Sequence, residues 1–143
     1  MSTTPLVVID TNVLVSAALS PHSVPAQAFR RVLERERFAI CEQSMAELQD
    51  VLSRDKFDRF TSRQRRMALL DLVRVHGVAF TVEPHDFAAV GPACRDPDDA
   101  LFLALALAAQ AQTIVSGDDD LLTLHPWRGI TICTPAQYLE RAG

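Results

Sequence analysis

Cysteine is scarce and scattered in this 143-residue chain. Cys41, Cys94 and Cys133 are odd in number, far apart, and form no CxxC pair. That argues against a disulfide framework or a zinc site, and for small buried thiols in a reducing compartment. Lysine is scarcer still: Lys56 stands alone, and arginine makes up the rest of the 14 basic residues. The formal net charge is −4, so no global positive field advertises a nucleic-acid binder. A long hydrophobic run is also missing. The apolar stretch after Pro5 is short and has no basic flank, unlike a secretory leader. Residues 100–109 are wholly apolar, but a membrane helix needs roughly 20 such residues. A soluble, cytoplasmic protein with no membrane association is expected. Nor is there a GxxxxGK phosphate loop, a GxGxxG turn or an HExxH helix. His22, His76, His85 and His125 are dispersed, with no triad-like arrangement.

What is present is an ordinary globular balance, 48% apolar and 22% charged, expected to form one domain over 1–143 with a real core. The organising stretch is Val7-Val8-Ile9-Asp10-Thr11-Asn12. Its β-branched run reads as a strand buried on both faces, as in a parallel sheet. A helix over 11–19 follows at once. A loop with two prolines leads to a helix ending near 35, with Pro25 in its first turn. A short buried strand is expected over 38–41, and a helix opening at Ser44 with Met45, Leu48, Val51 and Leu52 on one face. A short helical piece at 57–60 comes next. The following helix starts at Ser62 and stops near Gly77. Residues 78–82 read as a third strand and 83–95 as a loop. The apolar helix runs from Asp96-Pro97 to about 111; being apolar all round, it belongs between the sheet and other elements or in a subunit interface. Strands at 113–116 and 130–133 flank a helical turn at Leu121-Leu122, and a helix closes the chain over 135–141. Strands alternating with helices predict βαβ crossovers and a parallel α/β sheet.

Four acidic spots fall on one edge of such a sheet: Asp10 after the first strand, Glu47 in the first turn after the second, Asp96, Asp98 and Asp99 at the start of the apolar helix, and Asp118, Asp119 and Asp120 after the fourth. Crowded carboxylates resist ionisation unless a cation neutralises them. Oxygen ligands without nearby His or Cys pairs point to Mg²⁺ or Mn²⁺, and to hydrolysis of phosphodiesters by metal-activated water. Each acid also has a structural reading. Ser44 to Glu47 has the form of a capping box. Asp96 suits a helix cap ahead of Pro97, with Asp98 and Asp99 favoured by the helix dipole. Asp118 can cap the turn that follows. Asp10 is harder to explain structurally, because an unpaired carboxylate at the end of an apolar strand is costly. Thr11, Asn12 and Ser116 stand next to the acids and can orient them or serve ordinary turns. Between residues 54 and 66 a local excess of basic side chains can meet phosphates or form a solvated helix face.

At this point the chain resembles the PIN-domain family over nearly its full length. The residues 9–17, Ile-Asp-Thr-Asn-Val-Leu-Val-Ser-Ala, are similar to the family's first motif. Ser44 through Leu52, with Glu47 followed by Leu48, resembles the second; Asp96-Pro97-Asp98-Asp99-Ala100 resembles the third; Ile114 through Leu122 resembles the fourth. The resemblance implies a three-layer α/β/α fold with a five-stranded parallel sheet in order 3-2-1-4-5. It implies an Mg²⁺- or Mn²⁺-dependent ribonuclease in which Asp10, Glu47, Asp99 and Asp118 are the core acids. Asp96 and Asp120 are accessories, and Asp98 is the rival of Asp99 for the third position. Many small single-domain members are toxins, similar to VapC, so the resemblance implies an RNA substrate and a cognate antitoxin as partner; the Asp10-Thr11-Asn12-Val13 and Ser116-Gly117-Asp118 wording resembles the toxin-like branch rather than the typical VapC branch. Family resemblance and the apolar helix together favour a homodimer. Two other readings stay in view. A phosphatase-like α/β hydrolase wants a second Asp where Asn12 stands. A PIN-like module that binds RNA or protein without cleavage would show binding but no metal-dependent cutting.

Overall fold

The computed structural model describes residues 5–142. Strands β1 (Leu6–Ile9), β2 (Arg37–Ile40), β3 (Val78–Ala79), β4 (Thr113–Val115) and β5 (Thr131–Cys133) form a parallel five-stranded sheet in the order β3-β2-β1-β4-β5. The central strand β1 pairs with β2 on one side and β4 on the other, which is why Val7 and Val8 are wholly buried. Helices cover both faces, giving three layers. Val7, Ile9, Phe38, Ile40 and Val115 turn toward α1 (Thr11–Leu19), α2 (Val24–Arg35), α3 (Glu42–Leu52), α4 (Arg63–His76) and α8 (Pro135–Ala142). Their alternate neighbours Val8, Ala39, Ile114 and Ile132 turn toward α5 (Pro84–Val90), α6 (Pro97–Ala109) and α7 (Asp119–Leu122). The period-two pleat thus splits the apolar residues into two cores.

Helix α6 explains its own composition. Leu101, Phe102, Leu103, Ala104, Leu105 and Ala106 are all buried, between the sheet and α5. Burying each large apolar side chain contributes about 1.5–3 kcal/mol. The apolar surface offered above as one ground for a homodimer is therefore already covered within one chain.

Three sequence expectations are corrected. Residues 83–95 are not a plain loop: they contain α5 and a 3₁₀ turn at Gly91–Ala93. Pro84 is at the start of α5, where its missing N–H costs nothing, and the Glu83 amide donates to Asp86 Oδ2 at 2.8 Å in a capping box. Helix α3 opens at Glu42 rather than Ser44, because Cys41 is the N-cap. The Cys41 amide donates to Ser44 Oγ at 3.0 Å, and the Ser44 amide donates to Cys41 Sγ at 3.4 Å. Ser44 therefore occupies the third helical position, so Glu47 is not the capping-box acid and is free for other contacts. The third correction is in the basic stretch. Arg66 is fully buried, donating to the Leu52 carbonyl through Nε and the Thr61 carbonyl through Nη1, both at 2.7 Å, and pairing with Asp58 at 2.8 Å. It holds the start of α4 to the end of α3, and faces neither phosphates nor solvent.

Gly77 ends α4 for a reason other than a left-handed turn: its φ is −68°. A Cβ there would lie 2.7 Å from both Ile40 Cγ2 and the Val73 carbonyl oxygen. The helix must run this close to β2 before the chain turns into β3.

Candidate active site

The carboxyl ends of β1 and β4 lie side by side, and each hands the chain to a helix through an acid. Asp10 caps α1, with the Asn12 backbone N–H donating to its Oδ1 at 3.1 Å. Its own amide donates to the Val115 carbonyl at 2.9 Å, extending the ladder one residue past the strand. Asp118 caps α7, accepting from the Asp120 amide at 2.8 Å. Ser116 joins the two. Its hydroxyl donates to Asp10 Oδ2 at 2.7 Å and accepts from the Asp118 amide at 3.0 Å. Ser116 is fully buried and Asp10 is 3% exposed, so this contact is shielded from water, where hydrogen bonds to charge are strongest.

From the other side α6 brings its first turn. Asp96 is the cap and accepts from the Asp98 amide at 2.9 Å. Asp98 points to solvent, whereas Asp99 is 4% exposed and turned inward. Among the described residues, Asp99, Asp118 and Asp120 present carboxylate oxygens within 4.8 Å of one another. Asp10 and Glu47 flank this group. Glu47 is half-buried on α3, and the neighbouring Thr11 favours its charged form.

Charge crowding registers in the acid strengths. Burial, then the neighbouring Asp118, push the Asp99 carboxyl from 3.8 to about 7. Asp10 is raised mainly by burial, against the opposing hydrogen bonds from Ser116 and Asn12. Glu47 is raised by burial first and by the charges of Asp98 and Asp10 next. Three acids from three different elements are thus held back from ionising by one another and by their surroundings. Asp99 Oδ2 is buried with no hydrogen-bond partner, a costly state for a polar atom. A hard divalent cation in the Asp99–Asp118–Asp120 group would satisfy it, and the all-oxygen donor set suits Mg²⁺ or Mn²⁺.

Two clefts meet at these acids. One, of about 470 Å³, is walled by the 92–96 segment, Asp99, Asp120 and Thr123. The other, of about 290 Å³, runs past Asn12, Ser16, Gly117 and Asp118. Sequence reasoning passed over Cys94 and Arg95, which line the larger cleft; their only signal was adjacency to Asp96. Asn12, expected to orient an acid, contacts Asp10 through its backbone N–H.

The parallel α/β/α sheet thus gathers buried, convergent acids at its carboxyl edge, where open α/β sheets place their sites. A family model described as "PIN domain" matches residues 6–120, and the chain belongs to the PIN-domain family, whose members are generally nucleases. It is 29% identical over 120 residues to the uncharacterized protein MJ1680 of Methanocaldococcus jannaschii, covering 83% of this chain and 74% of that protein. Two solved structures share the fold. One is PAE2754 from Pyrobaculum aerophilum, with TM-score 0.68 and 16% identity, covering 96% of this chain and 89% of that one. The other is a chain of VapBC2 from Rickettsia felis, solved bound to a DNA fragment from its promoter. It has TM-score 0.63 and 15% identity, covering 90% of this chain and 98% of that one. No helix among the described residues is long and apolar enough to cross a membrane.

Proposed function

We propose that this protein is a divalent-cation-dependent endoribonuclease and the toxin of a toxin–antitoxin pair, acting in the cytoplasm and held in check by a cognate antitoxin. The observation that carries the catalytic reading is the buried, unpartnered oxygen of Asp99 beside Asp118 and Asp120. Asp10, Glu47, Asp99 and Asp118 would hold Mg²⁺ or Mn²⁺, with Asp120 and Asp96 as accessories; Asp99 takes the third position rather than Asp98 because its carboxylate is the one that converges with those of Asp118 and Asp120. Bound there, the cation supplies positive charge to the phosphoryl oxygens and makes water easier to deprotonate. The protein's own side chains do the rest. Ser116 and the Asn12 amide fix both oxygens of Asp10. Glu47, beside Asp10 and Thr11, would take a proton from the attacking water. The water oxygen bonds to phosphorus as one ester P–O bond breaks, and the leaving oxygen takes up a proton. The antitoxin is proposed on the fold shared with the VapBC2 chain, and a homodimer on family resemblance.

The test is cleavage of an end-labelled structured RNA with Mn²⁺, beside an EDTA control and Asp10→Asn. Asp10→Asn should lower cleavage by more than about 100-fold with the fold intact. Wild-type activity in Asp10→Asn would remove that residue from the site. RNA binding by the wild type with no cation-dependent cutting would favour a binding module instead.

A further inference from the structure

The acidic cluster poses a problem for its own substrate. An RNA strand carries a phosphate at every step, and here it must approach a surface dense in carboxylates. A cation beyond any bound metal is needed to offset that repulsion, and it has to sit in the path of the strand. Several arginines are already engaged elsewhere. Arg66 is buried in protein contacts, Arg54 and Arg74 pair with Asp50 and Asp71, and Arg63 and Arg30 donate to backbone carbonyls. Arg95 differs. It is exposed, it joins none of the ion pairs among the described residues, and it lines the same cleft as Asp99 and Asp120. No other basic side chain lines either of the two clefts that meet at the acids.

The clefts are unequal in a way that matters. The one holding Arg95 has a volume of about 470 Å³, within the ~300–1,000 Å³ range of small-ligand sites. Its walls also offer apolar surface from Pro92, Ala93 and Leu124, against which a base can lie. The opposite cleft is smaller, at about 290 Å³, and has no cation.

We propose that the cleft between the 92–96 segment and α7 is the nucleotide subsite on one side of the scissile bond, with Arg95 gripping the phosphate that flanks it. This rests on the ribonuclease reading above and adds a polarity to it: the strand is held firmly on one side of the cut and loosely on the other. Arg95 contacts a non-reacting phosphate, so it contributes affinity in ground state and transition state alike.

The experiment pairs cleavage kinetics with RNA binding, using Arg95→Ala, Arg95→Glu and Arg95→Lys. Binding is read by anisotropy of a short labelled single-stranded RNA of mixed sequence, in Ca²⁺ across a salt series, so it does not depend on turnover. Arg95→Ala should weaken binding about fivefold and flatten the slope of log K against log salt by about 0.7, the value for one lost phosphate contact on a single strand. KM should rise with kcat held, Arg95→Lys should recover most of the loss, and Arg95→Glu should be worse than Arg95→Ala. An unchanged salt slope in Arg95→Ala overturns the proposal while leaving a cutting wild type as a nuclease. A fall in kcat at constant KM also overturns it, since Arg95 would then act at the reacting phosphate. A wild type that binds but never cuts defeats the ribonuclease reading, and the salt slope still decides whether Arg95 is the clamp.

Discussion

Asp99 keeps its proton to about pH 7, mainly because burial and then Asp118 disfavour its charge. In the unfolded chain the same carboxyl ionises near 3.8. Between these values the folded state holds a proton that the unfolded state has released, so the stability Asp99 contributes is complete below about pH 4 and is lost as pH rises through about 7. Without divalent cation, thermal unfolding should therefore move to lower temperature from about pH 5 to about pH 8. Asp99→Asn should remove much of that slope. With Mn²⁺ present the trend should reverse, because cation and proton compete for the same oxygens. A melting temperature that ignores pH in both proteins would show that Asp99 is not held neutral. The residue scale is also where sequence and structure part company. Asp98 and Asp99 are adjacent acids at the head of a helix that is apolar on every side, so no polar face sets the helical phase. Packing decides it: Asp99 lies one turn before Phe102 and Leu103, which are buried, and Asp98 is left in solvent.

Helices in this fold are tied at their ends, and the ties differ in kind. Arg66 anchors α4 through carbonyl oxygens of Leu52 and Thr61 as well as through Asp58. Replacing it by Met leaves those carbonyls unsatisfied. The expected cost is about 2–4 kcal/mol in urea unfolding, with the kcat of the folded fraction unchanged. Arg59→Ala, at an exposed position of the same basic stretch, should change stability by less than about 0.5 kcal/mol. Gly77→Ala tests the other kind of tie. Its new methyl must displace Ile40 or the Val73 carbonyl, at a cost of about 1–3 kcal/mol. Equal stability of Gly77→Ala and wild type would mean that β2 and the end of α4 have room to separate. Element types were largely readable in the sequence where period and caps agreed, as in α1 and in α4 with its Ser62 cap. They were obscured at α5, where Pro84, Gly91 and Pro92 punctuate so densely that the helical start signal of Glu83, Pro84 and Asp86 reads as a loop. The anchoring by Arg66 was invisible for a different reason. Its main partners are backbone carbonyls, which every sequence contains.

Across the whole molecule, the β-branched run at β1 and the alternation of strands with helices foretold the parallel sheet, and the order 3-2-1-4-5 came with the family resemblance. The acidic edge follows from that topology, since each acid follows a strand or lies in the first turns of a helix on the same side. What the pattern did not carry was the depth of the individual acids or the two clefts beside them, which depend on how α5 and the 92–96 segment lie against α6. Because the acids come from residues as far apart as 10 and 118, a cation bound among them would tie the sheet together as a unit. At a free concentration of 100 times Kd, Mg²⁺ or Mn²⁺ should add about 2.7 kcal/mol to global unfolding, read as one cooperative shift by both far-UV and near-UV circular dichroism. An unfolding transition indifferent to either ion would count against a metal site formed by these residues.

The hydroxyl of Ser116, placed between Asp10 and Asp118, has a consequence in time. Asp10 leaves the ribosome long before its hydrogen-bond partner Ser116, which lies 106 positions later just past the neighbouring strand β4. Until that stretch emerges and docks beside the first strand, the early acid has neither its clamp nor its companions. A growing chain with the activity proposed here would be inert toward the messenger that encodes it, and toward the ribosome that makes it, until Ser116 and the strand before it had emerged.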